Sequence, residues 1–280
     1  LIIGLGGGSS MDTAKGCNFS LTYGGTMKDY WGVGKATKEM LPLIAVPTTA
    51  GTGSECQSFA LISDAETHVK MACGDPKAAA KIALLDPELT VSQPARVTAV
   101  TGIDAVAHAL ETAVTNKRNA LSATYSRQSF RFLMRGFERV LKDPADLEAR
   151  SSMLLGAAFA GTAIENSMLG AAHSCANPLT AEFGIVHGQA VGLMLPHVIR
   201  FNSGLPEIAA VYATYHAGDL PDRVTELLRA AGLATQLREL YVDRTRIPVL
   251  AQGAVKQWTA NFNPRPITEA DFIALYEAAW

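Results

Sequence analysis

The stretch "LIIGLGGGSSMDTAK", residues 1–15, decides the fold class of this chain. Leu1 to Leu5 form the continuous apolar run of a strand buried in a parallel sheet. Gly6, Gly7 and Gly8 then permit a tight turn and a close approach of backbone to ligand that side chains would obstruct. Ser9 or Ser10 is placed to cap a following helix, with Asp12 in its first turn. A strand, a glycine turn and a helix N-terminus in that order make an anion site, because the first helical amides have no partner within the helix and the macrodipole is positive there. A pyrophosphate is the natural guest. The same residues also read as a plain strand-to-helix turn with nothing bound. Two better-known phosphate loops do not match: no Gly-Lys-Ser/Thr closes the run, and Ser9 stands where the third glycine of the Rossmann fingerprint belongs.

Working outward, "VPTTAGTGSE" (46–55) follows the next strand and gathers Thr48, Thr49, Thr52 and Ser54 around Gly51 and Gly53. Alone it reads equally as a solvated loop. Two such loops at the C-terminal ends of neighbouring strands lie at the edge where open α/β sheets take their cofactors. Up to about residue 95, short β-rich runs ("LPLIAVPTT", "FALISD", "KIALLDP") alternate with turns and helical pieces, the pattern of an α/β unit with a mostly parallel sheet. Beyond it, Ala/Leu-rich segments of helical period follow one another, among them "NALSATYSRQSFRFLMRGFERVL", "LEARSSMLLGAAFAGTAIEN" and "VHGQAVGLMLPHVIRFN". The expected organisation is therefore an α/β N-terminal part over 1–94, the remnant of a dinucleotide-binding domain, and an all-helical domain over 95–280, joined near Pro94 without a flexible linker. Because Leu1 is no translational start and "LIIG" reads as a strand interior, the chain looks cut open at its N-terminus.

Composition narrows the function classes. With 48% hydrophobic and 18% charged residues in 280, the chain can bury a large core and is globular. Its 24 basic against 26 acidic residues, with no dense basic run, argue against nucleic acid as a partner. Cys17, Cys56, Cys73 and Cys175 form no C-x-x-C pair and read as reduced thiols of a cytoplasmic protein. No apolar window reaches the roughly twenty residues of a membrane span; "MLLGAAFAGTAI" stops at Glu165.

The histidines carry the chemistry. In "GIDAVAHALE" (102–111), Asp104 and His108 are four apart and share one helical face. Buried Asp and His are costly in an Ala/Val/Leu helix unless paired or metal-bound, so the pair reads either as a hydrogen bond between helices or as two ligands of an ion. "AAHSCANPLTAEFGIVHG" (171–188) adds His173 and His187 in apolar, small-residue surroundings. Three imidazoles and a carboxylate make a mixed N/O set suited to Fe(II) or Zn(II). His68 in "DAETHVK" and His216 in "TYHAGD" read as surface residues, and His197, after Pro196, as a packed neighbour.

Taken together, "GGGSSMD", "PTTAGTGSE", "GIDAVAHALE", "AAHSCANPLTAEFGIVHG" and the ending "NPRPITEADFIALYEAAW" resemble, in this order and spacing, the iron-containing (group III) alcohol dehydrogenase family, with its dehydroquinate synthase-like fold. The resemblance covers nearly the whole chain. It implies an α/β half binding NAD or NADP, a helical half holding a divalent metal, a reaction in the cleft between them, and a homodimer or higher homo-oligomer. By it, Asp104, His108, His173 and His187 are the catalytic metal ligands. Gly8 and Ser9, with Gly7 and Asp12 of the same turn, match the pyrophosphate loop, and Thr48, Thr49, Gln57, Phe59, Lys70 and Leu89 fall at dinucleotide contacts. The implied reaction is metal-assisted hydride transfer between nicotinamide and a small alcohol or aldehyde.

Two departures stand out. Family members begin about ninety residues earlier, and many carry a histidine four residues after the third ligand, where this chain has Asn177, an amide that cannot shuttle a proton. Maleylacetate reductase, glycerol dehydrogenase and a truncated, non-catalytic metal-binding homologue are the alternatives. Dehydroquinate synthase fits less well, because no basic cluster for a phosphorylated acidic substrate lies near the ligands.

Overall fold

The computed structural model describes residues 1–64 and 70–280, so His68 lies outside the described residues. The first strand, β1 (Ile2–Gly6), leads through the glycine turn into α1 (Gly8–Tyr23). Then come β2 (Gly32–Val33), β3 (Leu43–Pro47), β4 (Phe59–Ser63), β5 (Lys70–Gly74) and β6 (Ile82–Ala83). One sheet has the order β1-β3-β6 and is parallel throughout, with Ile2 opposite Leu43, Gly6 opposite Pro47 and Ile44 opposite Ile82. Helix α1 lies on it so closely that a Cβ on Gly4 would meet Ala14 Cβ at 3.0 Å.

In the second sheet, β2-β5-β4, β2 and β5 run parallel, in keeping with a mostly parallel pairing, while β4 and β5 run antiparallel, with Phe59 opposite Gly74 and Ser63 opposite Lys70. The reason is length, because a parallel crossover needs a dozen or more connecting residues and only 64–69 separate these strands. The helix start is also corrected. Gly7 is the N-cap of α1 with no side-chain cap bond, so Ser9 and Ser10 lie inside the first turn and Asp12 beyond it. The glycines close the turn earlier than a serine cap would, and the leading amides stay uncovered.

Beyond Pro94, the N-cap of α2 (Ala95–Thr112), the chain is helical: α3 (Ala120–Lys142), α4 (Leu147–Glu165), α5 (Ala171–Phe183), α6 (His187–Asn202), α7 (Pro206–Ala213), α8 (Leu220–Ala230), α9 (Ile247–Val255) and α10 (Glu269–Ala279). Helix α2 is buried on nearly every side from Gly102 to Thr112, as expected of a helix apolar all round. It runs through a core that includes Ile103, Leu110, Leu133, Phe137, Leu195 and Tyr276. Small residues let its neighbours close in: a Cβ on Gly136 of α3 would stand 2.7 Å from Ala149 O of α4. The four cysteines are unpaired. Among the described residues, no helix is long and apolar enough to cross a membrane.

Candidate functional site

Burying α2 leaves its polar face in need of partners. Asp104 and His108, one turn apart, are each 5% exposed, and His173 from the first turn of α5 is 4% exposed. His108 Nε2 and His173 Nε2 each lie 3.6 Å from Asp104 Oδ1. The two rings stack with centroids 4.9 Å apart. Ligand atoms of Asp104, His108 and His173 all fall within 4.8 Å of one another. His187, the first residue of α6, stands at the open side of this set, a third exposed, with Nε2 4.0 Å from Asp104 Oδ1 and its ring 5.3 Å from that of His173.

These spacings bear on the two readings of the pair. At 3.6 Å the contacts are too long for hydrogen bonds. Two ligand atoms each about 2.1 Å from one ion, subtending about 110–120°, stand roughly 3.5 Å apart. Asp104 Oδ1 and His173 Nε2 are moreover buried with no hydrogen-bond partner among the described residues. Orphaned polar atoms that face one another at this distance fit a cation between them.

The outer nitrogens are held. His108 Nδ1 is 3.2 Å from the carbonyl of Gly51, which only accepts, so the proton sits on Nδ1 and Nε2 keeps its lone pair. His173 Nδ1 makes a short hydrogen bond to Glu111 Oε2. Burial opposes ionisation of Asp104, but His108, His173 and His187 outweigh it and hold the carboxyl well below the usual range. Burial also lowers His173, yet Glu111 and Asp104 prevail and push it up to about 9. Burial lowers His108, and with His173 and Lys70 it takes His187 down to about 4 against Asp104. Without an ion, Glu111 and Asp104 hold a second proton on His173; a cation between Asp104 and the rings would take the place of that proton on Nε2 and leave the one on Nδ1.

The loop from Thr48 to Ser58 connects this cluster to the α/β half. Thr48 N donates to Gly6 O at 2.8 Å, and the side chains of Thr49 and Thr52 lie over Gly7 and Gly8, where added Cβ atoms would meet them at 3.3 and 2.7 Å. Gly7, Gly8, Ser9, Thr48 and Thr49 therefore gather at the C-terminal edge of β1 and β3, with Ser9 exposed. Asp12 Oδ1 accepts from Ser54 Oγ at 2.7 Å. Lys15, fully buried, donates to Ser54 O at 2.6 Å, Ser54 Oγ at 2.8 Å and Phe59 O at 2.9 Å. Gln57 Nε2 bonds back to Thr52 O at 2.8 Å. The Phe59 ring sits 5.9 Å from Trp258 of the helical half. Lys70 is exposed, near enough for its charge to act on Asp12 and His187. Leu89, 37% exposed, lies on the 87–90 turn. His197 and His216 line surface grooves away from the cluster, and burial together with Arg200 lowers His197 to about 4.

Glu111 and Lys15 escaped the sequence reading. Glu111 was detectable as a third polar residue on the Asp104–His108 face, seven positions after Asp104. Lys15 follows Asp12 by three positions on α1, a spacing shared by countless exposed ion pairs.

An α/β half with a bare helix N-terminus, set against a helical half with a buried Asp–His cluster, is the architecture of the metal-type alcohol dehydrogenases. Residues 98–280 match the model "Fe-containing alcohol dehydrogenase family, C-terminal", and residues 1–87 match "Iron-containing alcohol dehydrogenase". The chain belongs to the iron-containing alcohol dehydrogenase family, a family of oxidoreductase enzymes. It is 33% identical to alcohol dehydrogenase 4 of Schizosaccharomyces pombe, over 99% of this chain and 68% of that protein. It is 32% identical to an NAD-dependent methanol dehydrogenase of Bacillus methanolicus, over 99% and 76%. The crystal structure of a 1,3-propanediol oxidoreductase superposes with a TM-score of 0.94 at 30% identity, covering 99% of this chain and 76% of that one.

Proposed function

We propose that this chain is a metal-dependent, NAD(P)-linked alcohol dehydrogenase or aldehyde reductase acting on a small alcohol or aldehyde. The reading assigns Asp104, His108, His173 and His187 to Fe(II), with Zn(II) as the alternative ion, and the glycine turn to NAD, with NADP as the alternative. The observation that carries it is the pair of orphaned buried atoms, Asp104 Oδ1 and His173 Nε2, 3.6 Å apart. When bound, the cation supplies Lewis acidity toward a substrate oxygen and the nicotinamide supplies the hydride carrier.

The chain's own residues do the rest. Uncapped amides at Gly8 and Ser9 receive the pyrophosphate, and Thr48 and Thr49 flank it. Gln57, Lys70 and Leu89 are assigned to the remainder of the dinucleotide. Phe59, packed against Trp258, is assigned to shield the space between the halves from water. The Gly51 carbonyl keeps His108 Nε2 free to ligate. Asn177 donates its amide to Gln257 Oε1 at 2.9 Å and has no titratable proton, so it would position rather than relay a proton. In this reading residues 1–94 form the nucleotide unit and 95–280 the metal unit. The unpaired cysteines suit a cytoplasmic setting.

The test is NADH oxidation with a panel of aldehydes, before and after chelation and after Fe(II) or Zn(II) is restored. Activity should disappear on chelation and return with the ion. Activity untouched by thorough metal removal contradicts the reading, and bound metal with no change in NADH fluorescence favours a non-catalytic metal-binding protein instead.

A further inference from the structure

Glu111 lies on the same face of α2 as Asp104 and His108 and is 3% exposed. Its Oε1 accepts from Gly170 N at 3.2 Å and from Ala172 N at 2.8 Å. Its Oε2 meets His173 Nδ1. Gly170 is the N-cap of α5 and has no side chain to offer, so the cap comes from elsewhere in the fold: Glu111 takes two amides, and Asn263 Oδ1 takes Ala171 N at 3.4 Å. A buried helix end without such partners leaves costly orphan donors.

We propose that Glu111 is a positioning residue with two linked roles: it closes the N-terminus of α5, and it holds the proton of His173 on Nδ1 so that the Nε2 lone pair faces Asp104 Oδ1. The inference rests on the metal-centre reading above. A neutral imidazole has one N–H, and the nitrogen opposite a carboxylate oxygen carries it, which leaves the other as a ligand. Because His173 is the third residue of α5, the carboxylate that seats the helix end also sets where the ring points. Helix seating and ligand orientation are thereby one contact, and neither can shift without the other.

A role in capping alone predicts different behaviour, and Glu111→Gln separates the two. Glutamine keeps a carbonyl oxygen for the amides of Gly170 and Ala172 but turns an NH2 toward His173 Nδ1. That nitrogen must then accept, the ring proton moves to Nε2, and the lone pair leaves the site. The experiment strips the full chain of metal and titrates wild type and Glu111→Gln with Zn(II) against a chromophoric chelator. The metal-free melting points are compared alongside. The expected result is a Zn(II) dissociation constant weakened roughly ten- to hundredfold in the variant, with the metal-free melting point close to wild type.

Equal Zn(II) affinity in the two proteins overturns the positioning role while leaving the metal centre intact. Failure of wild type to bind Zn(II) overturns the metal-centre reading and this inference with it. Should the variant not fold, 15N-histidine NMR of Zn(II)-loaded wild type decides. A hydrogen-bonded Nδ1–H signal that is lost in His173→Gln supports the assignment, and its absence from wild type overturns it.

Discussion

Glu55 offers the sharpest test of the packing around the 48–58 loop. It sits in the tight turn Ser54–Cys56, is 3% exposed, and its Oε1 has no hydrogen-bond partner among the described residues. Burial raises its carboxyl from 4.5 to about 7, against the pull of a backbone hydrogen bond and of Lys15. The unfolded chain gives up this proton near 4.5, while the folded chain keeps it to about 7. Across that window the native state binds more protons, so stability falls as pH rises, by about 1.4 kcal/mol per pH unit. The contribution is complete below about 4.5 and gone above about 7, a total of about 3 kcal/mol. Glu55→Gln has no such proton to lose. Urea unfolding of metal-free wild type and variant between pH 5.5 and 8.5 should show the variant gaining about 2 kcal/mol on wild type between about pH 5.5 and 7.5, then a constant difference. Parallel curves over the whole range would refute the reasoning, since they would mean that water reaches the carboxylate.

The same loop yields two more predictions. A Cβ on Gly161 of α4 would lie 2.2 Å from Gly53 O, a backbone atom that cannot yield cheaply, so Gly161→Ala should cost about 2–3 kcal/mol and lower the melting point by several degrees in calorimetry. Lys15→Met removes the three bonds to Ser54 and Phe59 and strips Asp12 and Glu55 of their nearby positive charge. Its cost should be about 3 kcal/mol, and larger at about pH 8 than at about pH 6 because Glu55 is ionised only at the higher pH; a cost independent of pH would separate Lys15 from Glu55.

The helical half was legible because long Ala/Leu-rich segments follow one another with boundary signals between them, such as Pro94 before α2 or Asn119, which caps α3. Asp104, His108 and His173 were legible for the opposite reason: each is a polar residue in an apolar helix, where burial demands an explanation. The antiparallel β4–β5 pair was not legible, because a short apolar run looks the same whichever way its neighbour points. "KIALLDP" promised a strand but pairs only over Ile82–Ala83, since Asp86 already caps the 87–90 turn. Glu111 and Lys15 read as ordinary helical charges; what makes them matter is the Gly170 amide and the Ser54 carbonyl, brought 59 and 39 positions across the chain by folding.

Both halves fix the 48–58 loop, and from its own side Lys15 and Asp12 hold Ser54. His108 Nδ1 donates to Gly51 O, Glu165 at the end of α4 takes Ser58 N at 3.0 Å and Ser58 Oγ at 2.6 Å, and Gly53 enters at φ +62° to lie against Gly161. Gly51 itself abuts Thr101 of α2, where a Cβ would come within 2.5 Å of the threonine Cβ. Helices α2 and α4 thus set the height of the loop that packs over Gly7 and Gly8, and α2 also carries Asp104 and His108. One buried helix, α2, therefore ties the loop over the glycine turn to two of the residues assigned to the ion. Glycines at 51, 53 and 161 serve that geometry by letting backbones touch.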